Sequence, residues 1–242
     1  MHVTVDGIAI KPALALGSWV AFKKVGAQTM VMGDLVLSED EVEPVMLKLQ
    51  QGGIEQTALH NHVLHESPRV MYMHISGHGD AAKLATTLHD ALALTATPPA
   101  ATPPAAPTEL GIDADAVGAE LGRKGTVNGG VLQFSVPRCE KISEGGMEIP
   151  PAMGTATAIN FQPTGNNKAA ITGDFVLLGS EVNPVIRALR EGGIQVTAIH
   201  SHMLTEEPRL FFMHFWANDD AVKLAKALHG ALEKTNSAPA GK

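Results

Sequence analysis

The sequence predicts an α+β fold made of two ββαββα units, with antiparallel sheets, helices on one face and a pseudo-two-fold arrangement of the copies. Three observations carry this. Residues 33–74 align without a gap on residues 173–214, and from Gly33 to Thr95, 32 of 63 positions match the residue 140 places later, far more than composition produces. Within each copy, β-branched and aromatic runs alternate with segments of helical period. Between the copies, residues 95–108 read TATPPAATPPAAPT, too proline-rich for a helix or a central strand, and predict a semi-rigid linker. The units are therefore 1–94 and 109–242.

The elements of the first unit follow in order. Trp19 to Lys24 and Thr29 to Leu37 read as strands around a turn at Gly26. Ser38 and Glu41 have capping-box spacing, Pro44 follows in what reads as the first turn, and Gly52-Gly53 marks the stop of that helix. Thr57 to Leu64 and Arg69 to Ser76 read as two more strands flanking a polar turn. Asp80 caps a helix to about Leu94, with Ala81, Leu84, Ala85, Leu88 and Leu92 on one stripe. The second unit repeats the pattern and adds a short helix (Asp113 to Leu121) and a strand (Val127 to Val136) in front. Met1 aligns with Glu140, so the first unit begins partway into its repeat. Either the copies pack asymmetrically or the start lies upstream.

Composition narrows the function. The chain of 242 residues is 45% hydrophobic with a net charge of −7, enough to bury a core, and has no basic run to grip nucleic acid or an anionic membrane. No apolar stretch has spanning length, so the chain reads as soluble as written. A single cysteine, Cys139, excludes an internal disulfide and a CxxC site.

Histidine is the outlier, at 11 residues. Copies drift where nothing holds them, yet His60, His62, His74 and His89 recur as His200, His202, His214 and His229. His60 and His62, two apart on a strand, point to one face. With an odd loop from Leu64 to Pro68, Ala58 opposes His74 and Tyr72 opposes His60, which turns His74 to the same side; an even loop sends it to the other face. Pro68 cannot donate in a ladder and favours the odd loop. Candidate metal ligands are therefore His60, His62, His74 and Glu66, with His200, His202, His214 and Glu206. Asp34 and Asp174, inside apolar strands, need partners; Arg69 and Arg209 are the candidates, and the carboxylates are candidates to orient ligating histidines from behind. Such donors suit Zn²⁺ first, then Cu²⁺, Ni²⁺ or Fe²⁺, and not Ca²⁺ or Mg²⁺. The competing reading is a network of structural histidines in a scaffold protein. For His89 and His229, beside the helical stripe, the structural reading is preferred.

The His60-x-His62-x3-Glu66 spacing is similar to the first motif of cupins, whose barrel the helices contradict. His60-Asn61-His62 and His200-Ser201-His202 resemble the strand-borne motifs of two-histidine phosphoesterases, which carry Thr or Ser where this chain has a second histidine. That resemblance implies the alternative of a phosphoesterase or metal-assisted hydrolase with histidines of both units in a shared cleft. The blocks ALGSWVAF (15–22), MGDLVL (32–37), TALHNH (57–62), ESPRVMYMH (66–74) and GRKGTVNGGV (122–131) resemble the LppY/LpqO family of bacterial proteins. The resemblance covers most of the chain, implies export or a lipid anchor, and brings no catalytic residues. No nucleophile is paired with a base and no phosphate loop is present, which favours metal binding over catalysis.

Overall fold

The computed structural model describes residues 2–98 and 110–240; most of the predicted linker, residues 99–108, lies outside the described residues. The first unit runs β1 (Thr4–Val5), β2 (Ile8–Ala9), a π-type turn (Pro12–Leu16), β3 (Trp19–Val25), β4 (Gln28–Leu37), α1 (Glu39–Gln51), β5 (Glu55–His60), β6 (Glu66–Ser67), β7 (Met71–Gly79) and α2 (Ala81–Leu92). The second runs α3 (Ala114–Leu121), β8 (Thr126–Asn128), β9 (Val131–Pro137), β10 (Ile142–Glu144), β11 (Met147–Ile149), a 3-10 turn (Pro151–Met153), β12 (Ala156–Gly165), β13 (Lys168–Leu178), α4 (Gly179–Glu191), β14 (Gln195–His200), β15 (Glu206–Glu207), β16 (Leu210–Asp220) and α5 (Ala221–Leu232).

The α+β class and the duplication stand, with local corrections. Each unit carries a small extra hairpin, β1-β2 or β10-β11, ahead of its ββαββα core. The expected strand over 127–136 is a hairpin that turns at Gly129-Gly130, both in the left-handed region. Strand β5 stops at His60, so His62 sits in the connection beyond it. Pro44 is the sixth residue of α1, in its second turn, where it removes one backbone hydrogen bond. The glutamate half of the capping box is made in both units: the Glu41 carboxylate accepts from Ser38 N at 2.8 Å, and Glu181 accepts from Leu178 N at 2.7 Å.

The main sheets are antiparallel, in the order β3-β4-β7-β5 and β14-β16-β13-β12-β9-β8. Their central strands are buried on both sides because each face has its own cover. On β4, Val31, Leu35 and Leu37 face α1 and α2, and on β13, Ile171, Phe175 and Leu177 face α4 and α5. The other faces form the junction between units, and there the units interlock. Val3, Val5, Ile10 and Leu14 of the first small hairpin and its turn pack against Ala170 and Trp216 of the second sheet. Reciprocally, Ile142, Ile149 and Met153 pack against Met30 and Met32 of the first. Neither unit's junction face is closed by its own residues alone, so burial of apolar area ties the two copies together.

Candidate metal centre

Period-two geometry delivers the site. On β4 the residues alternate with those facing the helices, so Asp34 points into the junction; on β7 it directly opposes His74, and His74 opposes Ala58 while Tyr72 opposes His60. The odd register expected from Pro68 is the one present. The second unit repeats it: Asp174 opposes His214, His214 opposes Ala198 and Phe212 opposes His200. Gly33 and Gly173 precede the aspartates for a steric reason. A Cβ on Gly173 would lie 2.0 Å from the Ala158 carbonyl oxygen, and one on Gly33 2.6 Å from that of Trp19.

The two histidine sets do not form separate sites. They meet at the junction as one cluster arranged about the pseudo-two-fold. His60 and His200 face each other with ring centroids 3.6 Å apart. The related pairs His62–His214 and His74–His202 stack at 3.9 and 3.6 Å. Tyr72 backs His62 at 3.3 Å, and its counterpart Phe212 backs His202 at 3.7 Å. Thr197 Oγ1 donates to the His62 carbonyl at 2.6 Å, a further link across the junction.

Burial sets the protonation of these groups. His60 is pushed down to about 3, by burial first and then by the facing His200, and His200 is pushed down to about 4 by burial. His62, His74, His202 and His214 lie well below the usual histidine range for the same cause, reinforced by their histidine neighbours. All six are neutral at pH 7, the form that offers a lone pair. Asp34 is pushed up to about 7 by burial, and Asp174 well above the carboxylate range by burial and then by Asp34.

Two hydrogen bonds settle which nitrogen is free. His214 Nδ1 lies 2.8 Å from the Gly173 carbonyl and His60 Nδ1 lies 3.3 Å from that of Asn61. A carbonyl only accepts, so both Nδ1 atoms carry the proton and both Nε2 atoms carry the lone pair. The Nε2 atoms of all six histidines, and Oδ1 of both aspartates, are buried with no hydrogen-bond partner among the described residues. So many unsatisfied buried polar atoms in one place are costly, at about 1–3 kcal/mol each, unless a ligand satisfies them.

The donors fit a transition metal. His60, His62 and His74 form one group, and His60, His200, His202 and His214 another, with ligand atoms in each group within 4.8 Å of one another. Bonds of about 2.0–2.1 Å hold two nitrogens at most about 4.2 Å apart, so the widest pairs would draw in by some tenths of an ångström. Asp34 Oδ2 stands 3.9 Å from His62 Nε2 and 3.8 Å from His74 Nε2. Asp174 is 3.7 Å from His202 Nδ1 and 3.9 Å from His214 Nδ1. These separations are too long for hydrogen bonds.

The remaining candidates lie elsewhere. Strand β6 leaves the main hairpin to pair with β1, and β15 pairs with β10, which turns both glutamates away from the histidines. Glu66 accepts from Val70 N at 3.0 Å and Glu206 from Leu210 N at 2.9 Å, so they brace the loop and join neither histidine group. Arg69 faces Glu39 at 3.8 Å and Arg209 faces Glu206 at 3.2 Å, so neither neutralises an aspartate; burial instead raises both carboxyls' hold on a proton. His89 is exposed on α2, and His229 faces Glu233 on α5.

Beside the cluster lies a cavity of about 530 Å³ that reaches Asp34, His62, His74, Asp174, His202 and His214. Its polar walls on β9, β12 and β13 are not apparent from motifs. The signal that could have found them is the replacement of Ala21 and Met32 by Asn160 and Thr172 at matched positions. Also missed is Arg138, whose guanidinium is buried between Glu181, at 2.7 and 3.0 Å, and Glu140, at 2.9 and 3.0 Å.

A family model described as Domain of Unknown Function (DUF1259) matches residues 1–94 and 115–234. No curated protein matches the chain.

Proposed function

The chain belongs to the DUF1259 family, and we propose that its six junction histidines bind a transition metal, zinc first and copper, nickel or iron by the same donors. The observation that carries this reading is the convergence of six neutral imidazoles whose buried Nε2 atoms have no partner. Structural histidines in a scaffold would be tied singly to carbonyls or carboxylates; here His60 and His214 make such a tie, and each spends Nδ1 on it and leaves Nε2 without a partner among the described residues. His60, shared by both donor groups, makes the centre a joint property of the two units. Elemental analysis of protein purified without an affinity tag, before and after reconstitution, tests the reading. Zinc, copper, nickel or iron is expected, diminished by His60→Ala with His62→Ala. Metal content unchanged in that double variant, or none after reconstitution, overturns it.

A metal-assisted hydrolase is the second reading, favoured by the open cavity against the aspartate face of the cluster. A bound metal would supply a Lewis acid and an activated water there. Asp34, pushed up to about 7 by burial, is placed to exchange a proton with a ligand in the cavity. Hydrolysis of an uncharged activated ester by zinc-loaded protein, lost in Asp34→Asn, is the expected result. The LppY/LpqO resemblance supports export or a lipid anchor, which cell fractionation tests. Among the described residues no helix is long and apolar enough to cross a membrane.

A further inference from the structure

The junction is symmetric in its histidines but not in what stands beside them. Around Asp34 the first sheet carries Trp19, Ala21 and Met32; at the matching positions around Asp174 the second carries Ala158, Asn160 and Thr172. Ala21 and Met32 pack with Met153 and Met203, so the first side is filled by apolar groups. On the second side the residues are small or polar, and the cavity of about 530 Å³ opens there. Volumes of about 300–1,000 Å³ are those of small-molecule sites.

The walls state what they would accept. Asn128, Gln133 and Ser135 come from β8 and β9, the strands only the second unit possesses, and Asn160 and Thr172 from β12 and β13. Gln133 Nε2 donates to the Ala13 carbonyl at 2.8 Å and Gln133 Oε1 accepts from Asn128 at 3.3 Å, which sets those amides in place. Among the described residues the side chains of Ser135, Asn160 and Thr172 make no hydrogen bond, so their donors and acceptors are free for a ligand. Trp19 adds an aromatic side chain to the lining. No lysine or arginine lines the cavity, so its walls offer nothing to pair with a phosphate or carboxylate.

Building on the metal-binding reading, we infer that this cavity binds one uncharged, hydroxyl-rich small molecule of mono- or disaccharide size. Hydroxyl and amide side chains of the second unit hydrogen-bond it, Trp19 covers it, and one of its oxygens faces the metal centre. The filled first side means one ligand per chain.

The test titrates metal-loaded and metal-free protein with glucose, N-acetylglucosamine, cellobiose and glucose 6-phosphate, followed by calorimetry and tryptophan fluorescence. At least one neutral saccharide binds saturably at one per chain, and the phosphate ester binds at least about tenfold more weakly than glucose. Asn160→Leu with Thr172→Val weakens saccharide binding at least about tenfold while elemental analysis finds the metal content unchanged. If that variant does not fold, Ser135→Ala with Asn160→Ala, which only shortens side chains, carries the same expectation. Absence of saturable binding by all three neutral saccharides, a tighter phosphate ester, or unchanged affinity in the folded variant overturns the inference. Saccharide binding by a protein that takes up no metal would sink the metal reading and leave this one standing.

Discussion

His60 and His200 face each other across the junction of the two units with ring centroids 3.6 Å apart, on the pseudo-two-fold that relates every other pair in the cluster. The two neutral rings are tilted by 31° to one another, the Nε2 of each is buried and unpartnered among the described residues, and His60 belongs to both donor groups.

Membership of both donor groups makes His60 different from the other ligands. His60→Asn is expected to weaken metal binding at both groups, by more than the about 10–100-fold that loss of an outer partner costs. His62→Asn with His74→Asn should spare the group of the second unit. Competition with a chromophoric chelator measures both; equal losses in the two variants would contradict the shared role.

Acid should unfold the metal-free protein early. Unfolded, each histidine titrates near 6.5, whereas His60 and His200 folded titrate near 3 and 4 and the other four lie well below 6.5. Between those values the unfolded state binds more protons, so stability rises with pH and is lost as pH falls from about 6.5 toward 4. Chemical denaturation across that range reads the slope, and bound metal should hold stability to lower pH because it occupies the same lone pairs.

Asp34 has the opposite sign. Its folded value near 7 exceeds the unfolded 3.8, so the folded state holds the extra proton and stability declines as pH rises from about 4 to 7. Asp34→Asn should therefore raise the melting temperature of metal-free protein at pH 8 while reducing metal affinity. A variant that is less stable at pH 8 would show that the carboxylate is structural.

Gly173→Ala inserts a Cβ 2.0 Å from the Ala158 carbonyl and must part β12 from β13. A destabilisation of about 1–3 kcal/mol is expected, with loss of the His214–Gly173 hydrogen bond and with it metal affinity. Thermal melts and metal content together measure it.

Arg138 makes two hydrogen bonds to Glu181 and two to Glu140, and its side chain is 1% exposed. Arg138→Met should cost about 3–5 kcal/mol in urea unfolding, because it strands the buried Glu181 carboxylate. Metal content should not change.

Much of this was legible in the chain. The 140-residue offset exposed the duplication, helical and strand periods located the elements, retention in both copies singled out four histidine pairs, three of which meet at the junction, and their place inside apolar strands singled out Asp34 and Asp174. Pro68 even favoured the register that brings His74 beside His60. These are local properties, written into spacing and side-chain chemistry.

Only the tertiary structure decided how the copies meet. Periodicity says which face of a strand a residue occupies and nothing about what lies opposite, so two clusters were expected where the junction makes one. It likewise turned Glu66 and Glu206 away, because β6 and β15 pair outside the main sheets. The cavity arose from unlike residues at matched positions, Trp19 against Ala158 and Met32 against Thr172. Its shape depends on packing between segments more than a hundred residues apart, which no local pattern encodes.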